Sequence, residues 1–243
     1  MKNFLVLGRF LGARSSPLLV KLKRGSSSFP GNSFTSSFGH PEEWHMGKNL
    51  PHRNTKNLIQ SITFRLADSM PQNVLRDIEE ELKNLPITKR EIEKRKELDK
   101  WLDRGLGSCA LTRPEMAKVV WDAFQYYNGE KYNLLAWSIM PNHVHVLIIT
   151  NSDLRKIVRS WKSYTAKWAF VNNKKYGLGI ADEAKRFWLP DHWDRFIRYR
   201  NHFENALNYI LDNPKNAGLP ETATAHRFRG SAIPKMDGAP APF

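Results

Sequence analysis

The stretch "YNLLAWSIMPNHVHVLII", residues 132–149, holds two runs of strand length around a Met-Pro-Asn turn. Both runs are dense in large apolar, β-branched and aromatic residues, so the pair predicts an antiparallel hairpin. Side chains alternate along a strand, which puts His143 and His145 on one face of the second run and Val144 and Val146 on the other. Neutral imidazole is a good divalent-metal ligand, and two on one rigid strand make half of a metal site. Histidines that fill a strand face through hydrogen bonds would leave the same trace, so a third ligand is needed.

Working outward, "LIQSITFRL" at 58–66 alternates with period two and predicts a half-buried strand whose core-facing set is Ile62, Phe64 and Leu66. Pro71 opens a helix with Val74, Leu75, Ile78 and Leu82 on its apolar side, and "TKREIEKRKELDKWLDRG" at 88–105, with alternating charge signs, predicts a solvated helix. "TRPEMAKVVWDAFQYYNG" at 112–129 reads as a helix with Thr112 as N-cap, Pro114 in its first turn and Gly129 as its stop. After the hairpin, Asp153 leads a long helix to Lys175; "FWLPDHWDRFIRY" is a loop entering a strand; and "RNHFENALNYILDNPKNAGL" at 200–219 is a helix broken by Pro214. This divides the chain into a disordered basic extension (1–56), one folded domain (57–220) and an extended tail (221–243). The extension has no acid before Glu42 and no apolar periodicity. An organelle transit peptide, an overlong start with Met46 as the true one, and a flexible nucleic-acid-binding arm all fit it.

The chain has 243 residues, 38 of them Lys or Arg against 24 Asp or Glu, a formal net charge of +14. Such an excess points to a polyanionic partner, nucleic acid first, with a solvated basic surface as the plainer alternative. It is most one-sided from Arg155 to Lys175, where seven basic residues meet no acid; Arg155, Lys156, Arg159, Lys162 and Lys167 are candidate phosphate contacts. Trp161, Tyr164 and Trp168 fit base stacking or, at their helical spacing, core packing. Asp191 and His192 are candidate supports for a metal site. The single cysteine, Cys109, excludes an internal disulfide and gives no zinc knuckle, which fits a reducing cytoplasm. No apolar run approaches the roughly 20 residues that span a bilayer, so no membrane association is expected.

The helix from Asn201 offers the missing ligand. Phe203, Ala206, Leu207, Ile210 and Leu211 form its apolar stripe, and at about 100° per residue Tyr209 and Asn213 lie together on one flank, a turn apart. A boundary tyrosine with a C-capping asparagine would look the same. Two imidazoles, an amide oxygen and a phenol together suit metal-assisted attack of a tyrosine on a phosphodiester, with a covalent phosphotyrosine splitting one displacement into two.

At these residues the sequence resembles the single-tyrosine HUH transposases, most closely the REP-associated tyrosine transposases and their transposase-like relatives. The resemblance is carried by "AWSIMPNHVHVLI" (136–148), "IVRSWKSYTAKWA" (157–169), "FWLPDHWDRFIR" (187–198) and "FENALNYILDNPKNAGL" (203–219), in the family's order and covering about residues 58–219. It implies an α+β, ferredoxin-like fold with an antiparallel sheet, and cleavage and rejoining of single-stranded or hairpin DNA through a 5′-phosphotyrosine. It further implies Tyr209 as nucleophile, His143, His145 and Asn213 as ligands of Mg²⁺ or Mn²⁺, a basic DNA-binding surface to which Arg195 and Arg198 belong, and a monomer or homodimer. Two departures stand out. Relatives usually read Val-Lys-Ala-Gly after the Asn-Pro pair, where this chain has Lys215-Asn216-Ala217-Gly218, and the charged helix near 88–104 is poorly matched in the simplest members. A domesticated, non-catalytic nucleic-acid-binding protein on the same fold is the rival reading; a phosphodiesterase using water as nucleophile is another.

Overall fold

The structure is a computed structural model that describes residues 58–232 and the backbone of two short paired strands, β1 (Trp44–Met46) and β2 (Pro51–Arg53). The rest of the expected 1–56 extension lies outside the described residues.

From residue 58 the order is β3 (Ile59–Arg65), α1 (Gln72–Leu82), α2 (Ile87–Asp103), α3 (Pro114–Tyr126), β4 (Tyr132–Ile139), β5 (His143–Thr150), α4 (Leu154–Tyr176), β6 (Trp193–Phe196), α5 (Arg200–Asn216), α6 (Thr224–Arg227) and β7 (Arg229–Ser231). All pairings are antiparallel, in the strand order β6-β3-β5-β4-β7. Without β7, the order β6-β3-β5-β4 is that of a β-α-β-β-α-β ferredoxin-like unit, the α+β class expected. The predicted hairpin is β4–β5, with a bulge between Leu134 and Ala136.

The larger core lies on one face of this sheet. Ile62 and Phe64 from β3, Leu66 just after it, and Val144, Val146 and Ile148 from β5 pack there against Met116, Val120 and Phe124 of α3 and Ile157, Val158 and Trp161 of α4. Trp161 is core, donating its indole N–H to the Tyr132 hydroxyl at 2.9 Å, and Trp188 donates likewise to Thr165 Oγ1 at 2.8 Å. Tyr164 is exposed, and Trp168 is half-buried, stacked on Tyr176. Asp153 caps α4, accepting from the backbone N–H groups of Arg155 and Lys156, and Gly177 ends it in the left-handed conformation at φ 56°.

Four details depart from the sequence expectations. The charged helix α2 is not wholly solvated: Leu98 and Leu102, one turn apart, are 1% exposed and pack with Met70, Val74 and Ile78. Ion pairs such as Lys94–Glu79 and Lys100–Glu97 cover its wet side. Thr112 does not cap α3; it ends a short 3-10 turn (Ala110–Thr112), and its hydroxyl donates to Cys109 O. Pro214 does not break α5, which runs to Asn216 with the proline ring buried.

The fourth departure is in the tail. Residues 224–232 are not simply extended, because β7 joins the edge of the sheet beside β4. Gly230 sits against Trp137 so closely that a Cβ would fall 2.7 Å from its ring. Arg229 donates to the carbonyl of Leu211, tying this edge to α5. Residues 233–243 lie outside the described residues. Among the described residues no helix is long and apolar enough to cross a membrane.

Candidate active site on the second face of the sheet

Directly opposed residues of antiparallel strands share a face. Thr63 opposes His145 and Arg65 opposes His143, so these four side chains lie together on the face away from α3 and α4. Above them α5 packs its own small core, Phe203 and Ile210 against Leu135, Ala136 and Leu147. That contact brings Tyr209 to the histidines: its ring stands edge-on to His145 at 5.3 Å between centroids, and the His143 and His145 rings are 4.7 Å apart. Asn213, one turn beyond Tyr209, is buried at 3% exposure.

Second partners fix the histidine rings. The Asn142 amide nitrogen is committed to the carbonyl of Leu106 at 3.0 Å, which leaves its oxygen as acceptor for His143 Nδ1–H at 2.8 Å. His143 Nε2 is then the nitrogen with the free lone pair. His145 Nδ1 lies 2.9 Å from Thr63 Oγ1. His143 and His145 are 1% and 2% exposed. Burial, with the Arg65 guanidinium, pulls His143 down to about 3. Burial, then His143 and Arg95, holds His145 well below its ordinary value. Both rings are neutral at physiological pH, the state in which imidazole ligates a metal.

Fit to a divalent ion can be judged from the unsatisfied atoms. His145 Nε2 and Asn213 Oδ1 are buried side-chain atoms without a hydrogen-bond partner. A buried polar atom left unpaired is costly, and a cation would satisfy Asn213 Oδ1 together with His145 Nε2 in the tautomer whose Nδ1–H donates to Thr63 Oγ1. Among the described residues no group of three or more His, Cys, Asp or Glu is placed to hold a metal. The set here is instead two imidazoles and an amide oxygen, which suits Mg²⁺ less tightly than a carboxylate cage and leaves more of the cation's charge for a bound phosphate.

The sequence reading missed three residues at this site. Asn142 and Thr63 orient the histidines, and only their places next to and across from the pair hinted at it. The third is Asp99 on α2, whose carboxylate accepts the Tyr209 hydroxyl hydrogen bond at 3.1 Å.

The seven candidate DNA contacts do not form one surface. Arg155, Lys156, Arg159 and Lys162 line a groove of about 710 Å³ beside α4, behind the sheet, with Lys185 and Arg186. Lys162 is already engaged, donating to the carbonyls of Leu189, Pro190 and Asp191 at 2.8–3.1 Å. Its burial lowers the ammonium to about 7. Lys167 is exposed on the same helix. Asp191 and His192 line this groove rather than the histidine site. Arg195, in contrast, opposes Ser61 and so lies on the histidine face. Arg95 and Arg198 are close enough to Arg195 to depress it, after burial.

Residues 111–210 match the family described as IS200-like transposases. A solved REP-associated tyrosine transposase bound to a REP hairpin is similar at 15% identity and a TM-score of 0.41, covering 75% of this chain and 84% of that one. No curated protein matches the sequence. The matched segment runs from the turn before α3 through the His143/His145 strand to Tyr209, so that part of the chain is similar to the IS200-like transposases.

Proposed function

We propose that the protein cleaves and rejoins single-stranded DNA, with Tyr209 as nucleophile and His143, His145 and Asn213 as the ligands of Mg²⁺ or Mn²⁺. The observation that carries this is the meeting of Tyr209 with His145 at 5.3 Å beside two buried polar atoms without a hydrogen-bond partner among the described residues, His145 Nε2 and Asn213 Oδ1. A bound divalent ion would supply Lewis-acid polarisation of the scissile phosphate. The chain's own residues do the rest. Tyr209 Oη attacks phosphorus and becomes the 5′-phosphotyrosine, the 3′ oxygen leaves, and a later 3′-hydroxyl reverses the step. Arg95, Arg195 and Arg198 on the site face hold the strand by its phosphates, while Arg155, Lys156, Arg159 and Lys167 behind the sheet receive a duplex stem if the DNA is a hairpin.

One observation favours the rival binding-only reading: the ligands are 1–3% exposed, so a phosphate reaches them only if the cover of α2 and α5 shifts. The two readings separate on incubation of the protein with Mn²⁺ and hairpin-forming single-stranded oligonucleotides taken from the DNA flanking its own gene. A denaturation-resistant protein–DNA adduct, absent in Tyr209→Phe, is the expected result. Binding without adduct on every oligonucleotide would leave the non-catalytic reading, and cleavage that survives Tyr209→Phe would point to water as nucleophile.

A further inference from the structure

Helix α2 lies outside the segment 111–210 that matches the transposase family, yet it supplies the hydrogen-bond partner of Tyr209. Its rotation is set by Leu98 and Leu102, buried against α1, and this turns Asp99 and Asp103 toward α5. Three other acids of the α1–α2 hairpin pair with lysines, Glu79 with Lys94, Glu93 with Lys96 and Glu97 with Lys100. The Asp99 carboxylate instead accepts from the Tyr209 hydroxyl, donor to acceptor 3.1 Å, within the reach a general base needs.

We propose that Asp99 is a catalytic residue of this chain, the base that takes the Tyr209 proton as the phenol attacks and returns it when the strand is rejoined. The inference rests on the reading of Tyr209 as nucleophile. In the forward step the Oη–H bond breaks and the proton passes to Asp99 Oδ2. The Oη–P bond forms, the P–O3′ bond breaks with its electron pair going to the 3′ oxygen, and that oxygen takes a proton from solvent. In the reverse step a 3′-hydroxyl attacks phosphorus and loses its proton to solvent, the Oη–P bond breaks, and the departing phenolate recovers the proton from Asp99.

The surroundings explain why a base in contact is required. Burial, then the negative charges of Asp99 and Asp103, pushes the Tyr209 phenol above its ordinary value of 10. Attack concerted with proton transfer to a base already in hydrogen-bond contact avoids releasing a free phenolate inside the site. Burial also raises the Asp99 carboxyl above its ordinary 3.8, partly offset by the Arg95 guanidinium and the tyrosine hydrogen bond, which makes it a better acceptor than a solvated carboxylate. The charged and titratable groups facing the pair are Arg95 and Asp103 from α2 and His145 from β5.

The test uses the full chain, Mn²⁺ and the same flanking-DNA oligonucleotides, following adduct formation in single turnover across pH 5–9. Asp99→Asn is expected to slow adduct formation about 10²–10⁴-fold while gel-shift binding changes little. The rate–pH profile should lose its carboxylate limb, and Asp99→Glu should recover part of the rate. If Asp99→Asn forms adduct as fast as the wild type, or faster because the aspartate only restrains Tyr209, the inference is overturned. Should Asp99→Asn fail to fold by thermal melting, Asp103→Asn decides: the carboxylate limb must persist once that neighbouring acid is gone, and its loss would assign the limb to Asp103 and overturn the role. Absence of any wild-type adduct would instead remove the reading of Tyr209 on which the inference rests.

Discussion

The two faces of β5 belong to one strand and differ in everything except backbone. Val144, Val146 and Ile148 enter an apolar core whose side chains have their polar atoms paired, such as the Trp161–Tyr132 hydrogen bond. One residue out of phase, His143 and His145 enter a layer where polar groups are buried without full satisfaction and where titratable groups lie far from their ordinary values. The first face buries apolar surface; the second retains buried polar atoms, His145 Nε2 and Asn213 Oδ1, without a hydrogen-bond partner among the described residues. Strain and imperfect pairing of that kind concentrate where a protein acts rather than where it merely folds.

Substitutions at adjacent positions of β3 test this division most sharply. Phe64 is 1% exposed, with Trp188 at 4.8 Å and Phe124 and Trp161 at 6.3–6.4 Å between ring centroids. Phe64→Ala should cost about 3–5 kcal/mol by cavity formation, read as a fall in melting temperature, with Mn²⁺ binding intact in the protein that remains folded. Thr63→Val, on the other face, removes the partner of His145 Nδ1 and should cost only about 1–3 kcal/mol. That smaller loss should nevertheless carry with it a measurable weakening of Mn²⁺ binding. Equal Mn²⁺ affinity in both variants would erase the distinction between the faces.

The next effect in size is stabilisation by metal itself. At about 100 times its dissociation constant, Mn²⁺ should stabilise the wild type by about 2.7 kcal/mol, or roughly 5–10 °C for a domain of this size. EDTA should reverse the gain. Asn213→Ala deletes one of the two orphaned acceptors without touching the histidines, and its Mn²⁺-induced shift should shrink accordingly. A wild type whose melting temperature ignores Mn²⁺, or an Asn213→Ala protein that gains as much, would remove Asn213 from the ligand set.

Much of the first face could be read in the sequence because its determinants are local. Period-two alternation marked Ile62, Phe64 and Leu66, the Met-Pro-Asn turn marked the β4–β5 hairpin, and Asp153 marked the start of α4. On the second face the pair His143 and His145 and the helix flank bearing Tyr209 and Asn213 were also visible, each within one element. Their meeting depends on how α5 docks, which no local pattern encodes. Asp99 was invisible for the same reason, since its contact with Tyr209 joins residues 110 apart in the chain. The two buried leucines of α2 were masked by the surrounding charges, and β7 joined the sheet through backbone pairing that its short Arg-Gly-Ser run gave no alternation to announce.

The smallest expected effect concerns the acids of α2. Burial and the neighbouring Asp99 charge raise the Asp103 carboxyl from the ordinary 3.8 to about 6. The folded state therefore holds a proton that the unfolded chain has already released between those two values. Stability from this group is fully present below about pH 4 and is lost as pH rises through about 6, the direction opposite to that of a salt-bridged aspartate. The buried histidines act in the other sense, because His143 at about 3 costs stability as the pH falls below the ordinary 6.5. Wild-type melting temperature between pH 4 and 6 is the sum of the two slopes, and Asp103→Asn deletes only one of them. The variant should thus gain more melting temperature than the wild type on going from pH 4 to 6. Parallel curves would mean that Asp103 titrates as a solvated carboxylate and that α2 does not seal this edge of the site.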